Sequence, residues 1–324
     1  MSLLPTIETQ GFDPLLATAG LPYSAMYFPV GHYLRLATNS GEVLAAASES
    51  WGMNRPEFTN HPIEIRVIVH PEGALSPQPA FRCQRHICSV VGDADNFAAA
   101  DLEQLFAYAF VSAQTAADHA WLRWFFLESL AYLLLAQRYV VPLHAASLAR
   151  QGAGVLLCGR SGAGKSTLAF ACARAGWTYV SDDCTWLLPA PQCYEAIGSP
   201  AGARFRPESV DLFPELARYL ERARPNGKIS IEIPFSDFPY IQTGRRCSVR
   251  FLVFLDRRSD MEASLTPISS NKALDLLLED HASYTPETDA LHNRTFQTLA
   301  SLPAYRLRYA GLEEGRRLLE SLIP

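Results

Sequence analysis

Three features of this sequence predict an α/β fold whose main sheet is mixed. A short apolar strand at 155–158 runs into a glycine-rich loop and then into a helix-forming run at 166–175. A second strand at 140–148 precedes it across a polar, glycine-containing turn at 150–154, so the two form a hairpin and the first strand has an antiparallel neighbour. Upstream, 27–70 reads as strand and 101–138 as helix. This predicts a smaller α+β region over 1–138, strands then helices, ahead of a second unit over 139–324.

Composition limits the classes that such a fold can serve. The chain has 324 residues, 48% hydrophobic and 19% charged, enough apolar residues for substantial cores. Its formal net charge is -5 and it has no Lys/Arg-rich run, which argues against a nucleic-acid partner. The seven cysteines, at 83, 88, 158, 172, 184, 193 and 247, lack the spacing of a disulfide framework or a zinc site, so reduced thiols are expected. Residues 1–16 have no basic region followed by an apolar core; with the cysteine usage this predicts a cytoplasmic location.

Taken in order, the elements have separate justifications. In IEIRVIVH, Ile63, Ile65, Val67 and Val69 alternate onto one face, the signature of a half-buried strand. Residues 71–82 are rich in proline and small residues and read as a loop. Two helices fit 101–138. Within them, WLRWFFLESLAYLLLAQ is shorter than the roughly 20 apolar residues of a bilayer span and carries Arg123 and Glu128, so it reads as a buried core helix and no membrane association is expected.

GRSGAGKST follows the strand at 155–158 and places Gly159, Gly164, Lys165 and Ser166 at G-x-x-x-x-G-K-[ST] spacing. Glycines let such a loop turn tightly and aim its N–H groups inward, while the following helix presents its positive end to the same anion. The loop residues Gly159, Arg160, Ser161, Gly162, Ala163, Gly164, Lys165, Ser166 and Thr167 are therefore the expected nucleotide-phosphate site, with ATP as ligand. Lys165 would reach the outer phosphates. Ser166 would put its hydroxyl on Mg²⁺, an ion that also asks for a carboxylate. Beyond Gly176, a helix stop by its position, WTYVSDD reads as a strand ending in Asp182 and Asp183, where open α/β sheets bind their ligands. One of the two acids could hold the metal while the other meets an acceptor hydroxyl as base.

His144 heads the hairpin, and with GRSGAGKS and YVSDD it completes a set that resembles the carboxy-terminal domain of HPr kinase/phosphorylase, itself similar to the P-loop of phosphoenolpyruvate carboxykinase. The resemblance covers about 45 residues closely and the rest of 139–324 more loosely. It implies a P-loop domain of that type, a histidine near the phosphates at His144, and metal-binding and proton-transfer roles at Asp182 and Asp183, without deciding which aspartate is the base; Ser166, from the loop spacing, and Asp183 are the expected metal ligands. The glycine- and arginine-bearing signature that follows the acids in HPr kinases is absent between 184 and 240, and 1–138 does not read like that family's first domain. The chain thus resembles the divergent HPr-kinase-like proteins, which include kinases acting on peptide precursors.

Several other residues and classes can be weighed. Arg204, Arg206 and Lys228 are cations that could meet phosphate or could be surface ion-pair partners. FLVFLD, ending in Asp256, rivals Asp183 as a metal carboxylate but reads better as a core strand, being distant in sequence from the loop. In NKALD the aspartate falls one residue too late for guanine reading; no LSGGQ-like, HRD or DFG element occurs, and CQRHIC lacks a fourth ligand for zinc. The expected activity is Mg²⁺-assisted phosphoryl transfer from ATP to a hydroxyl, first of all a serine of an unidentified protein or peptide. A small-molecule or carboxykinase-like acceptor, or a non-catalytic ATP sensor, are the other readings, and a homo-oligomer is compatible with all three.

Overall fold

The structure, a computed structural model, describes residues 20–192, 194–258, 262–279, 281 and 285–323. The stretch 1–16 and Cys193 therefore lie outside the described residues. The first elements are β1 (Tyr23–Tyr27), β2 (Leu34–Thr38), α1 (Gly41–Trp51), β3 (Ile63–His70), β4 (Ala80–Gln84), β5 (Ile87–Val91), β6 (Phe97–Asp101) and β7 (Phe106–Ser112). Their strands form one sheet in the order β1-β2-β3-β7-β6-β5-β4, with β2, β3 and β7 parallel and the other pairs antiparallel. Ile63, Ile65 and Val67 are fully buried, as their alternation requires.

Two sequence expectations fail here. The strand-like span 27–70 contains the helix α1, whose Val43, Ala46, Ala47 and Trp51 are buried at helical spacing. The helical span 101–138 begins with a strand, because FAYAFVS alternates and pairs with β3 along its whole length. Helix starts only at α2 (Ala113–Ala117) and α3 (His119–Leu122), then continues through a π-helical turn (Arg123–Leu127) into α4 (Glu128–Leu135). Phe126, Leu127, Leu130, Ala131, Leu134 and Leu135 are fully buried in the core over this sheet, and no helix among the described residues is long and apolar enough to cross a membrane. The order is thus interleaved rather than strands followed by helices. Cys83 and Cys88 face each other across the β4–β5 hairpin, Cα to Cα 4.1 Å, and form a disulfide, which corrects the expectation of reduced thiols at these two positions. The hairpin register, invisible in the spacing, brings them together. Among the described residues no cluster of metal-ligating side chains forms there or elsewhere.

The chain continues as β8 (Val141–Leu143), β9 (Ala145–Arg150), β10 (Ala153–Cys158), α5 (Lys165–Arg174), β11 (Thr178–Ser181), β12 (Thr185–Leu187), β13 (Glu195–Ile197), β14 (Gly202–Phe205), β15 (Glu221–Ala223), β16 (Ile229–Pro234), β17 (Arg246–Arg257), β18 (Ser264–Ile268), α6 (Ser270–Leu278), α7 (Pro286–Leu299), β19 (Ala304–Tyr309) and α8 (Leu312–Glu320). The main sheet runs β11-β9-β10-β17-β13-β12-β8, with β19 and then β18 added beside the second half of β17. β10 is antiparallel to β9 and parallel to β17, the mixed arrangement that the hairpin predicts. The hairpin turn uses Gln151 at φ 50° and Gly152 at φ 80°, the pair of left-handed residues that suits a two-residue turn. A separate three-stranded sheet, β14-β16-β15, lies over α5.

Helix α5 packs on the sheet through Leu168, Ala169, Phe170, Cys172 and Ala173. It stops at Gly176, φ 88°, with Trp177 N–H donating to Cys172 O and Gly176 N–H to Ala173 O, both at 3.1 Å, which is the Schellman pattern. Phe170 joins α5 to the small sheet: the rings of Phe205, Phe213 and Phe238 surround it at 5.1, 4.9 and 5.7 Å. The upstream core is tied to the main sheet by stacking of Tyr132 on Trp186 at 4.6 Å and by Glu57, which accepts from Arg245 at 2.9 Å and pairs with Arg246 at 2.5 Å. The buried His292 of α7 adds a third tie, its Nε2 donating to Ala136 O at 2.8 Å.

Because Phe170 is fully buried at the centre of this aromatic cluster, Phe170→Ala should cost about 3–5 kcal/mol, measured by urea unfolding of the full chain. Phe251, partly exposed on β17, should cost well under half of that on the same change.

Candidate functional site

The loop at 159–164 is shaped by its glycines. Gly159, Gly162 and Gly164 have φ of 153°, 89° and 93°, conformations that side-chain-bearing residues adopt at a cost. Space matters as well as φ, since a Cβ on Gly164 would stand 2.8 Å from the Tyr309 hydroxyl and one on Gly162 would stand 3.3 Å from Arg206 Nη2. The loop leaves the buried end of β10 and enters α5 without a side-chain N-cap, so the first N–H groups of the helix have no side-chain partner at the cap. Lys165, the first residue of α5, is 6% exposed and folds back over the loop, its Nζ donating to Gly159 O at 2.5 Å and to Arg160 O at 3.3 Å. Tyr309 closes the other side by donating to Ala163 O at 3.5 Å.

The two acids follow β11, an edge strand antiparallel to β9. They are differently placed. Asp182 is buried, and its Oδ2 accepts from the Arg204 backbone N–H at 3.0 Å. Burial raises its carboxyl to about 6; the Arg204 amide acts against that shift, and the neighbouring Asp183 charge adds to it. Asp183 is 45% exposed, and its Oδ1 lies 3.5 Å from His144 Nδ1. His144 occupies the one-residue break between β8 and β9, where the strand predicted as continuous over 140–148 is interrupted. Ser166 Oγ donates to the Asp182 carbonyl at 3.4 Å, which joins the start of α5 to the end of β11.

Ser161, Gly162, Gly164, Lys165, Ser166, Thr167, His144, Asp182 and Asp183 line one cleft of about 950 Å³. Gly159 and Arg160 instead line an adjoining cavity of about 310 Å³ that shares His144 with the cleft. Arg160 points outward toward Glu279, its Nη2 3.4 Å from Oε2. Ala163 is not on the cleft lining; its carbonyl is taken up by Tyr309.

The structure brings Arg204, Arg206 and Lys228 to the same cleft. Arg204 lies within β14, and its Nε pairs with Glu232 at 3.1 Å. Asp256 is far from the loop in sequence but near it in space, because β17 is the parallel neighbour of β10. Its carboxylate is already engaged by Arg258 at 2.9 Å and Arg308 at 3.3 Å, which hold it below the usual carboxylate range and leave it a structural ion-pair partner. Trp124, Arg224 and Arg257 also line the cleft and were not singled out from the sequence. Arg257 directly follows Asp256 at the end of a strand, a signal that could have been used. Trp124 sits inside an apolar helical run and gives no such signal.

Oxygen donors of the kind a hard divalent cation prefers, the Ser166 hydroxyl and the carboxylates of Asp182 and Asp183, share the cleft, but they do not form an all-protein cage. That donor set fits a hard divalent cation such as Mg²⁺ that takes its remaining oxygens from outside the chain.

Comparison with known proteins gives partial matches. Residues 110–219, about a third of the chain, match the model of a family described as SynChlorMet cassette protein ScmC. No curated protein matches. Among solved structures, the HPr(Ser) kinase/phosphatase from Coxiella burnetii is similar over 56% of this chain and 89% of that chain, at 13% identity and a TM-score of 0.31, a weak structural relation.

Proposed function

We propose that this chain is an ATP-dependent, Mg²⁺-assisted kinase whose chemistry lies in residues 139–324 and whose acceptor is a hydroxyl, that of a serine in a protein or peptide. The observation that supports it most is the common cleft: a left-handed glycine loop, the lysine that folds over it and a pair of acids at a strand end all face one space. Loop N–H groups and the start of α5 are suited to hold the phosphates, with Lys165 turning from its carbonyl partners to the outer phosphate oxygens. Arg206 and Arg257 flank Gly162 and Gly164 and are positioned to offset charge on the transferring group. Ser166 and Asp183 would hold Mg²⁺, which would supply further neutralisation of the phosphates.

The transfer needs little more than placement. The acceptor oxygen forms a bond to the terminal phosphorus as the bridging P–O bond to the rest of the nucleotide breaks, ADP leaves, and the hydroxyl proton passes to a carboxylate. Asp182 suits that last step, since a carboxyl raised to about 6 is ionised at neutral pH yet more basic than an ordinary aspartate. His144, 3.5 Å from Asp183 Oδ1, is suited to orient the Asp183 carboxylate. A second reading, transfer to a small metabolite, is favoured by the 310 Å³ cavity beside His144, whose walls mix Leu143, Phe254 and Leu276 with charged residues.

Incubation with labelled ATP and host extract should label a polypeptide; label confined to small molecules would select the metabolite reading, and no label at all would sink both. Lys165→Ala should lower kcat/KM by about 100-fold or more and weaken nucleotide binding, read by single-turnover kinetics and titration with an ATP analogue.

The pH dependence follows from Asp182. Transfer should rise with pH through about 6 and then level off, and Asp182→Asn should slow it without weakening nucleotide binding. Stability runs the other way. Folding raises the Asp182 carboxyl from its ordinary 3.8, so its contribution to stability is present below the unfolded value and lost as pH rises through about 6. Asp182→Asn should therefore raise Tm by a few degrees at about pH 8 and leave it little changed at about pH 3.5 in calorimetry.

A further inference from the structure

The cleft holds more positive charge than the glycine loop uses. Its cationic side chains are Lys165, Arg204, Arg206, Arg224, Lys228 and Arg257, against the carboxylates of Asp182, Asp183 and Glu208, in a chain whose formal net charge is -5. Lys165, Arg206 and Arg257 lie against the loop itself, and Arg204 pairs with Glu232. Arg224 and Lys228 remain. They flank the tight β15–β16 turn, where Arg224 N–H donates to Lys228 O at 2.9 Å, so both cations come off one short hairpin at the cleft's edge. Among the described residues neither forms an ion pair with a carboxylate.

Arg224 is held in place rather than swinging in solvent. Its guanidinium carbon lies 4.6 Å from the centre of the Trp124 ring, so an aromatic wall from the upstream region fixes a half-buried cation in the cleft. Burial and repulsion from Arg204 pull it below its usual range while Asp183 and Asp182 act against that, which sets it within electrostatic reach of the acids. A fixed cation without a carboxylate partner, half removed from water, is costly unless an anion arrives.

The hairpin offers a polypeptide more than charge. All three residues of β15 are exposed, and β15 is the edge of its sheet, pairing only with β16 among the described residues. Beside it, Leu212 and Ile229 line the cleft while 40% and 54% exposed, and Leu220, just before β15, is 74% exposed. An open strand edge, apolar rim positions and paired cations together suit an extended segment rather than a compact metabolite.

We infer that the acceptor is an acidic peptide segment, its carboxylates held by Arg224 and Lys228 along the β15–β16 hairpin so that its hydroxyl reaches the loop and the acids. This rests on the phosphoryl-transfer reading and deepens it by naming the acceptor's charge. The hairpin would set which hydroxyl is used, leaving nucleotide binding to the glycine loop.

Calorimetric titration of the full chain, with Mg²⁺ and a non-hydrolysable ATP analogue present and again without them, tests this against two synthetic peptides. Both carry one central serine, flanked by glutamates in one and by glutamines in the other. The glutamate peptide should bind about ten-fold more tightly at low salt, the worth of two partly exposed charge pairs. Lys228→Gln, an exposed turn position, should remove part of that preference, and Arg224→Ala with Lys228→Gln the rest, with analogue affinity unchanged. Equal binding of the two peptides by the parent, or a preference that survives both substitutions, would overturn the inference. If the analogue fails to bind while the glutamate preference and its loss persist, the acidic-segment site stands and the kinase reading falls.

Discussion

The pairing of β10 between an antiparallel β9 and a parallel β17 is the constraint from which the site descends. A strand buried on both sides cannot shift its register without moving a full set of apolar side chains out of the core. Its carboxyl end is therefore a fixed point. From there the chain reverses through left-handed glycines into α5, and α5 is pinned in turn by Phe170 within its aromatic cluster. Lys165 over Gly159 O and Tyr309 against Ala163 O hold the loop from its two sides. Everything else in the cleft is measured from that anchored loop, including the acids delivered by β11 on the far side of β9.

Electrostatics divides the cleft's charged groups by burial. Asp182 is enclosed and its carboxyl is raised by desolvation, whereas the adjacent Asp183 stays half-exposed beside His144, so burial separates two neighbouring side chains of the same kind. The cations divide by partner: some lie against the glycines, one is taken by Glu232, and those of the β15–β16 hairpin line the cleft. A chain that is acidic as a whole thus carries a cleft of opposite sign, a local field that net charge conceals.

The upstream region takes part in the same construction. The helical run 119–135 that fills its core also supplies Trp124, the ring behind Arg224, while Glu57 and Tyr132 lock the region to Arg245, Arg246 and Trp186. The interleaving of α1 and β7 with parallel strands explains why a simple run of strands followed by helices did not describe it.

The glycine loop, its flanking strand and helix, the hairpin before it and the helix stop at Gly176 were legible in the sequence because each depends on local geometry: φ preference, a period of apolar residues, a short polar turn with glycine. The strand-end rule pointed to Asp182 and Asp183 as neighbours of the loop, and the family resemblance added His144. They could not separate the two aspartates, place Asp256 beside β10 or detect the Cys83–Cys88 pairing, since burial, parallel strand order and hairpin register are relations between distant segments. Nor could they find Trp124 and Arg224, which are about a hundred residues apart and meet only when the small sheet folds down beside the upstream core. Backbone conformation is written residue by residue, and the sequence determined it at the loop; desolvation and partner choice depend on which surfaces the packed chain brings together, and the tertiary structure alone decided those.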